Sequence, residues 1–550
     1  MTVLRGSRVE RVPVEYIGVY ADFLGPGVDL HLVELKGEVG AEIGVAAGMS
    51  GSPVYINDEL IGALSYRMGV MPRKAIAGVT PIATMLDAAQ QAATSAPTSA
   101  LARPIRTPLM TAGLHPALKE WAREQLEGFG LEWSDGGAVS SGAASSAAGK
   151  PLEAGGPIGI ALVRGDWTFA ATGTVTLVDG ETVYAFGHPF FGNGSVEYPM
   201  VQAEVVHTLA DSSGSQKLAN VGAEIGMIVD DRLTAVVGRL DRRARTIPMS
   251  VSMRWPQASS PAATATAKMD VVDAPGLTPI LVSLGVSNTI LRRVDYESDV
   301  TVLAHGEIAL SGGRKLPFEL SASGANAIDP SSQIASQLQQ TLATLWNNPF
   351  EKPQVESIEV NLSVEPSQRS YFLETLHYDR EAVQPGATID VQCVLKPWRG
   401  DAIKRTLQLT VPHGVSSGTA LRIAVGTPDQ VQRALGNPLA ARLQSSNDLG
   451  DVISVLGQLQ ATHRLVAILY QNSPTVTRDG VSYSDLPPTA AHLLSRGARV
   501  GGVSRSRVSL LGRAELEMDG PIKGGLSMRV QIAGGSGDEE PTPAAKEKRR

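Results

Sequence analysis

Gly48-Met49-Ser50-Gly51-Ser52-Pro53 constrains this chain more than any other six residues. Glycines two before and one after a serine permit backbone angles that side chains forbid, and Pro53 fixes the exit, so the segment reads as a tight turn. Val54-Tyr55-Ile56, Asn57-Asp58 and Leu60-Ile61-Gly62-Ala63-Leu64 follow, a strand, a polar turn and a strand. The pattern G-x-S-G-x-P holds Ser50 at the crest and lets the N–H groups of Gly48 and Ser50 converge on one point, where they can bind a developing oxyanion. Ser50 is therefore a candidate nucleophile. Taken alone, the six residues also suit a Gly/Ser surface loop.

A serine nucleophile needs a base, and of the nine histidines His188 stands apart in Tyr184-Ala185-Phe186-Gly187-His188-Pro189-Phe190. Thr174 to Leu177, a turn at Asp179-Gly180 and Thr182 to Phe186 predict a hairpin whose second strand delivers the imidazole at its end. The third member of such a set is a carboxylate that holds one imidazole tautomer and stabilises the imidazolium. Asp231 is the candidate, in Gly226-Met227-Ile228-Val229-Asp230-Asp231-Arg232-Leu233, where an apolar strand meets a turn. Asp230 is the rival; Glu34 and Asp29 are weaker alternatives, and a solvated Asp-Asp-Arg turn is the plain one.

The residues also carry a family resemblance. Val9 to Leu86, with Val14-Glu15-Tyr16-Ile17-Gly18, Ala47 to Tyr55, Ile61-Gly62-Ala63 and Ala77-Gly78-Val79-Thr80-Pro81-Ile82, resembles the nucleophile half of the SpoIVB-type serine peptidases. Ile158 to Pro248, with Gly173-Thr174, Ala185 to Phe190 and Asp231-Arg232, resembles the histidine half. The halves come in the opposite order from the sporulation peptidase that names the family, which looks like a circular permutation of two chymotrypsin-like barrels, as in a group of bacterial envelope proteins. A triad depends on geometry and not on chain order, so permutation leaves the chemistry possible. The resemblance implies a serine endopeptidase with Ser50 as nucleophile, His188 as base, Asp231 by spacing as orienting carboxylate and Gly48 and Ser50 as oxyanion donors. A protein or peptide substrate and an extracytoplasmic or envelope location go with it, and self-processing is a further reading that would suit the exposed connector between the halves. A catalytically silent envelope scaffold on the same fold is the competing expectation.

In chymotrypsin-like enzymes the floor of the primary pocket lies six residues before the serine, here Gly44, and Gly44-Val45-Ala46-Ala47 carries no charge. A preference for Lys or Arg is not expected. Ser65-Tyr66-Arg67 offers an extended edge that can pair with substrate backbone by strand addition. Met49 stands where many secreted relatives have an acidic residue, so activation by a freed N-terminus is not expected.

Length and composition fit several β-rich domains. Gly 57 and Pro 34 against 5% aromatic residues, over 550 residues, predict many turns and short strands in three or four domains. The net charge, 48 − 55 = −7, without a basic face, argues against nucleic acid as a partner. One cysteine, Cys393, cannot close an intrachain disulfide and reads as a buried structural thiol. Neither a cofactor nor a metal is expected, nor a membrane span, because no apolar run is long enough. No signal peptide is visible, and Met1 to Gly6 reads as beginning inside a strand, so a longer lead-in is expected.

The expected fold class is mainly β: a permuted two-barrel peptidase core followed by β-rich and immunoglobulin-like regions with a few helices. Residues 1–94 form the nucleophile half-barrel, with strands over Val9 to Val19, Leu30 to Leu35, Val54 to Ile56 and Leu60 to Tyr66. A helix over Pro81 to Ala93 is capped by Thr80. Residues 95–156 hold a helix over Pro116 to Glu127 and a Ser/Ala/Gly connector over Asp135 to Gly156, after a polar linker at Thr94 to Ser99. Residues 157–325 form the histidine and aspartate half, 326–350 a helix with Ile334, Leu338, Leu342 and Leu345 on one stripe, and 351–426 an immunoglobulin-like sandwich that could receive a protein partner. Residues 427–532 are mixed α/β, with helical segments at Pro428 to Leu443 and Leu449 to Leu459, and 533–550 a disordered tail.

Overall fold

The structure, a computed structural model, describes residues 1–69, 72–91, 101–126, 131–135, 151–257, 260–294, 299–378, 382–416, 419–436, 439–458, 461–478, 481–484, 486–495, 503–506 and 508–533. The fold is mainly β, 52% strand and 20% helix. The expected linker at Thr94 to Ser99, most of the connector and the tail beyond Ala533 lie outside the described residues.

The first sheet runs Val14–Gly25, Val28–Leu35, Ile76–Pro81, Glu59–Met68, Pro53–Ile56, antiparallel throughout. Its inward residues Val33, Leu35, Val54, Leu64, Ala77 and Val79 form one cluster with Val45, Ala46 and Met49 from the segment leading into the serine turn. Alternation of apolar residues along each strand sends these side chains to one face, which is why they cluster. Glu59–Met68 has a divided edge. Pro53–Ile56 pairs with its first half, and Ala102–Pro104 pairs with Tyr66, Arg67 and Met68 in its second.

The second sheet has 13 strands, and six of them close on themselves. Thr168–Asp179, Thr182–Ala185, Ala235–Arg239, Gln216–Arg232, Gly194–Leu209 and Pro157–Gly165 pair in turn, and Pro157–Gly165 pairs back onto Thr168–Asp179. Closure leaves no free edge within the ring. The expected hairpin at 174–186 is two neighbours of this ring. From Pro157–Gly165 the sheet continues outward through Ser260–Val272, Thr246–Gln257, Val355–Glu365, Val300–Leu310 and Arg314–Gly324.

Several expected elements have different limits. The helix over Pro81 to Ala93 is a short α-helix, Ile82–Leu86, and a turn of 3-10 helix, Ala88–Gln90, with Pro81 and not Thr80 at the cap. Pro116 to Glu127 divides into Pro116–Leu118 and Lys119–Leu126, with Leu118 and Leu126 buried. The helix with the apolar stripe extends over Ile328–Trp346, and Ile334, Leu338, Leu342 and Leu345 are fully buried, each contributing about 2 kcal/mol by area. Thr278–Leu291 is a helix that periodicity does not reveal, because all of its residues are buried and no polar face marks it. No helix among the described residues is long and apolar enough to cross a membrane.

The sandwich differs most from the reading of 351–426. Val355–Glu365 belongs to the 13-stranded sheet, wedged between Thr246–Gln257 and Val300–Leu310. One four-stranded sheet is Ile403–Thr410, Thr388–Pro397, Tyr371–Tyr378 and Ile522–Lys523; the facing one is Ser509–Glu517, Arg464–Gln471, Ala420–Gly426 and Leu526–Gln531. A shared core, with Leu395, Leu409, Ile423, Leu465, Leu469 and Val530, joins them. Most of the second layer thus comes from residues beyond 426, so local strand rhythm could not mark the boundary. Cys393 is buried in this core, and burial pushes its thiol pKa up to about 11, as suits an inert side chain.

Candidate active site

The serine turn is held from both sides. Ser50 is fully buried, Gly48 and Gly51 take positive φ angles of 85° and 91°, and Gly51 donates to the Leu64 carbonyl at 2.8 Å. From the closed ring, the Thr174 amide donates to the Ser50 carbonyl at 2.8 Å, the Thr174 hydroxyl to the Gly48 carbonyl at 2.9 Å and the Thr176 hydroxyl to the Gly51 carbonyl at 2.8 Å. A Cβ on Gly51 would lie 1.9 Å from the Thr174 oxygen and 2.5 Å from the Phe186 nitrogen. Only glycine lets these backbones touch.

The same contact delivers His188. Phe186 has φ +70°, and the Gly187 amide donates back to the Ala185 carbonyl at 2.8 Å, a γ-turn in its strained positive-φ form. Gly187 follows at φ +69° with its Cα against Ala63 and Ser65, and its carbonyl accepts the Thr80 hydroxyl at 2.6 Å. Thr80, expected as a helix cap, instead fastens the histidine segment to the serine half.

His188 is 3% exposed, and its Nδ1 lies 2.8 Å from the Pro189 carbonyl oxygen. A carbonyl only accepts, so Nδ1 carries the proton and Nε2 keeps its lone pair, the tautomer a general base needs. Nε2 and Ser50 Oγ are both buried and neither makes a hydrogen bond, to the other or to any other group, although the segments that carry them meet where Gly51 touches the Thr174 and Phe186 backbones. Burial pushes the His188 pKa down to about 4, opposed by the carbonyls of Pro189 and Ile105. The Ile105 carbonyl acts on the ring by proximity, without a hydrogen bond to Nε2.

Asp231 does not take the expected place. It is fully buried, but its Oδ1 accepts the Phe190 amide at 2.7 Å, and its Oδ2 accepts those of Phe191 at 2.8 Å, Gly192 at 2.8 Å and Asn193 at 3.3 Å. Four donors fold the loop after His188 around one carboxylate, while Nδ1 of the imidazole goes to Pro189. Burial raises the Asp231 pKa, with the four amides holding it back. Asp230 pairs with Arg232 at 2.9 Å and accepts from Ser195 Oγ at 3.1 Å, and Glu34 lies between Lys36 and Lys74. Asp29 accepts the Asp22 amide at 2.9 Å. None of these bonds reaches His188.

The Gly48 amide, expected as an oxyanion donor with that of Ser50, already donates to the Arg106 carbonyl at 3.2 Å. A cavity of about 650 Å³ lies beside it, lined among others by Val45, Ala47, Arg67, Arg103 and Ile105. From the uncharged stretch after Gly44 only Val45 and Ala47 line it, and Arg67, Arg103, Arg106 and Arg123 line it as well, whereas Ala46 and Met49 are buried in the core of the first sheet.

One further residue belongs to the site. Lys217 is 2% exposed, with Nζ 2.7 Å from Thr2 Oγ1 and 3.2 Å from Thr174 Oγ1, and its stem against Gly48. Burial pushes its pKa down to about 7. It braces the turn through the Thr174 hydroxyl. The sequence does carry a signal for it: Lys217, Ala219 and Val221 fall on one face of a strand, so a period of two places the lysine inward. Among the described residues no group of His, Cys, Asp and Glu could hold a metal ion.

No protein-family model, no curated protein and no solved structure matches this chain.

Proposed function

We propose that the protein is a serine peptidase of SpoIVB type working with a Ser50–His188 pair. The observation that carries the reading is that Ser50 Oγ and His188 Nε2 are both buried without a hydrogen-bond partner, on segments that meet at the seam between the two halves, with Nδ1 of the imidazole on the Pro189 carbonyl. Buried polar atoms without partners are uncommon in native proteins, and a catalytic role is one of the explanations for them. In the reaction, Ser50 Oγ bonds to the peptide carbonyl carbon as its proton passes to Nε2. The imidazolium returns that proton to the leaving amine as the C–N bond breaks, and water then hydrolyses the acyl-serine by the same route. The Gly48 amide, once free of Arg106, is placed to hold the oxyanion. Pro189 fixes the ring where a carboxylate would otherwise do so, and Asp231 is a positioning residue for the loop.

The occupied Gly48 amide and the missing Ser50–His188 hydrogen bond favour a second reading, a catalytically silent binding protein on the same fold. An alkyl fluorophosphonate separates the two. A peptidase gives a phosphonyl adduct at Ser50, absent from Ser50→Ala and His188→Ala, whereas a silent fold gives none at any exposure time. An adduct at Ser52 would move the nucleophile.

A further inference from the structure

The edge of Glu59–Met68 next to the serine is where strand addition would place a substrate, and the chain itself lies there. Tyr66 pairs with Pro104, Arg67 with Arg103 and Met68 with Ala102, antiparallel. The Ile105 amide donates to the Ser65 carbonyl at 2.8 Å, and at the far end the Gly69 amide donates to the Leu101 carbonyl at 2.7 Å. Pro104, which has no N–H, falls opposite Tyr66, between those bonded positions, where an antiparallel ladder needs no donor. Ile105 is 2% exposed and packs its side chain into the cluster of Val45, Ala46, Met49 and Leu64 beneath the serine turn. Its carbonyl faces the His188 ring, and the next carbonyl, that of Arg106, holds the Gly48 amide.

We propose that residues 101–106 are a built-in occupant of the substrate-strand site, and that the site takes extended peptides with proline followed by an aliphatic residue once this strap leaves the Glu59–Met68 edge. The proposal deepens the peptidase reading and rests on Ser50 being the nucleophile of the cleft. Ile105 lies as the residue on the acyl side of a scissile bond would, backbone on the sheet edge and side chain in the apolar cluster beneath the serine turn. The oxyanion donor, however, holds the carbonyl of Arg106, one residue further along. The strap is therefore one residue out of register for attack at Ile105, and it blocks the cleft as an inhibitor does. Arg103, Pro104, Ile105 and Arg106 also wall the cavity that Val45 and Ala47 line, so lifting the strap opens pocket and oxyanion donor together.

The test uses the full chain in a Ser50→Ala background and a fluorescent peptide of the strap's own sequence, Leu-Ala-Arg-Pro-Ile-Arg, with binding followed by polarisation. Ile105→Asp puts a charge into the apolar cluster beneath the serine turn, and Arg103→Pro, at an exposed side chain, removes a ladder donor without touching the core. Each released variant is expected to bind the peptide at least tenfold more tightly than the parent, and a peptide with Asp in place of Ile is expected to lose that gain. If Ile105→Asp fails to fold, Arg103→Pro decides alone. A folded, released variant that binds no better than the parent overturns the strap. With Ser50 restored, fluorophosphonate labelling is expected to quicken by tenfold or more in the same variants. Peptide binding gained without any labelling keeps the strap and overturns the peptidase reading, whereas labelling that is unchanged and brisk in every variant, with no binding gained, does the reverse.

Discussion

Asp231→Asn separates two roles for the buried carboxylate. If Asp231 oriented the imidazole, the substitution would leave the fold intact and lower turnover by up to about four orders of magnitude. The structure predicts a different result, because the carboxylate holds four amides of the loop that follows His188. An asparagine can turn its oxygen toward Phe191, Gly192 and Asn193, but its NH2 then faces the Phe190 N–H, which is left unpaired. That orphan costs about 1–3 kcal/mol, and each of three bonds that exchanges a charged acceptor for a neutral one loses about 1 kcal/mol. The loop should open with about 4–6 kcal/mol less than before, or roughly three to four decades in the exchange rate of its amides. Hydrogen exchange of the 190–193 amides, read by mass spectrometry, checks this. Wild-type exchange there, together with a large fall in Ser50 reactivity, would refute the loop role and return Asp231 to the imidazole.

Three further outcomes follow from the same contacts. Gly51→Ala places a methyl 1.9 Å from the Thr174 carbonyl at φ +91°, so the two halves should separate at the seam and Ser50 labelling should fall below detection, while a folded, labelled variant would contradict the close approach. Lys217 has a folded pKa of about 7 against an ordinary value of 10.5, so the unfolded chain binds more protons between those values and stability should rise with pH from 7 to 10.5. The burden below pH 7 is on the order of 5 kcal/mol, and Lys217→Met should flatten that rise in urea titrations. For His188 the neutral base persists down to about pH 4, so the labelling rate should climb with pH through about 4 and level off above it. A midpoint near 6.5 would place the ring in water instead.

The serine turn and the histidine segment were legible because each is made of residues with few alternatives. Gly48, Gly51 and Gly187 sit at positive φ, and a turn built on such positions announces itself in the sequence. The carboxylate was not legible in the same way. Asp231 occupies a strand end that spacing selects, yet spacing says nothing of whether a buried oxygen meets an imidazole or four amides. Thr80 shows the same limit, since a threonine before a proline reads as a cap and its hydroxyl instead crosses to Gly187. The strap could not be found from periodicity, because Ala102-Arg103-Pro104 is too short and too mixed to look like a strand; its meaning comes from the edge it covers. The wholly apolar helix Thr278–Leu291 and the sandwich layer supplied by Arg464–Gln471 depend on partners distant in sequence, which local patterns do not encode.

Whether His188 activates Ser50 decides between a peptidase and a silent fold. The direct measurement is the second-order rate of fluorophosphonate labelling, with the adduct located by peptide mapping, in the strap-released Arg103→Pro chain and in the same chain carrying His188→Ala. One adduct is expected, on Ser50, with a fall of a hundredfold or more when the imidazole is removed, the scale on which a positioned base contributes. Labelling of Ser50 at the same rate without His188, or no adduct on Ser50 in a folded released chain, would contradict the working Ser50–His188 pair.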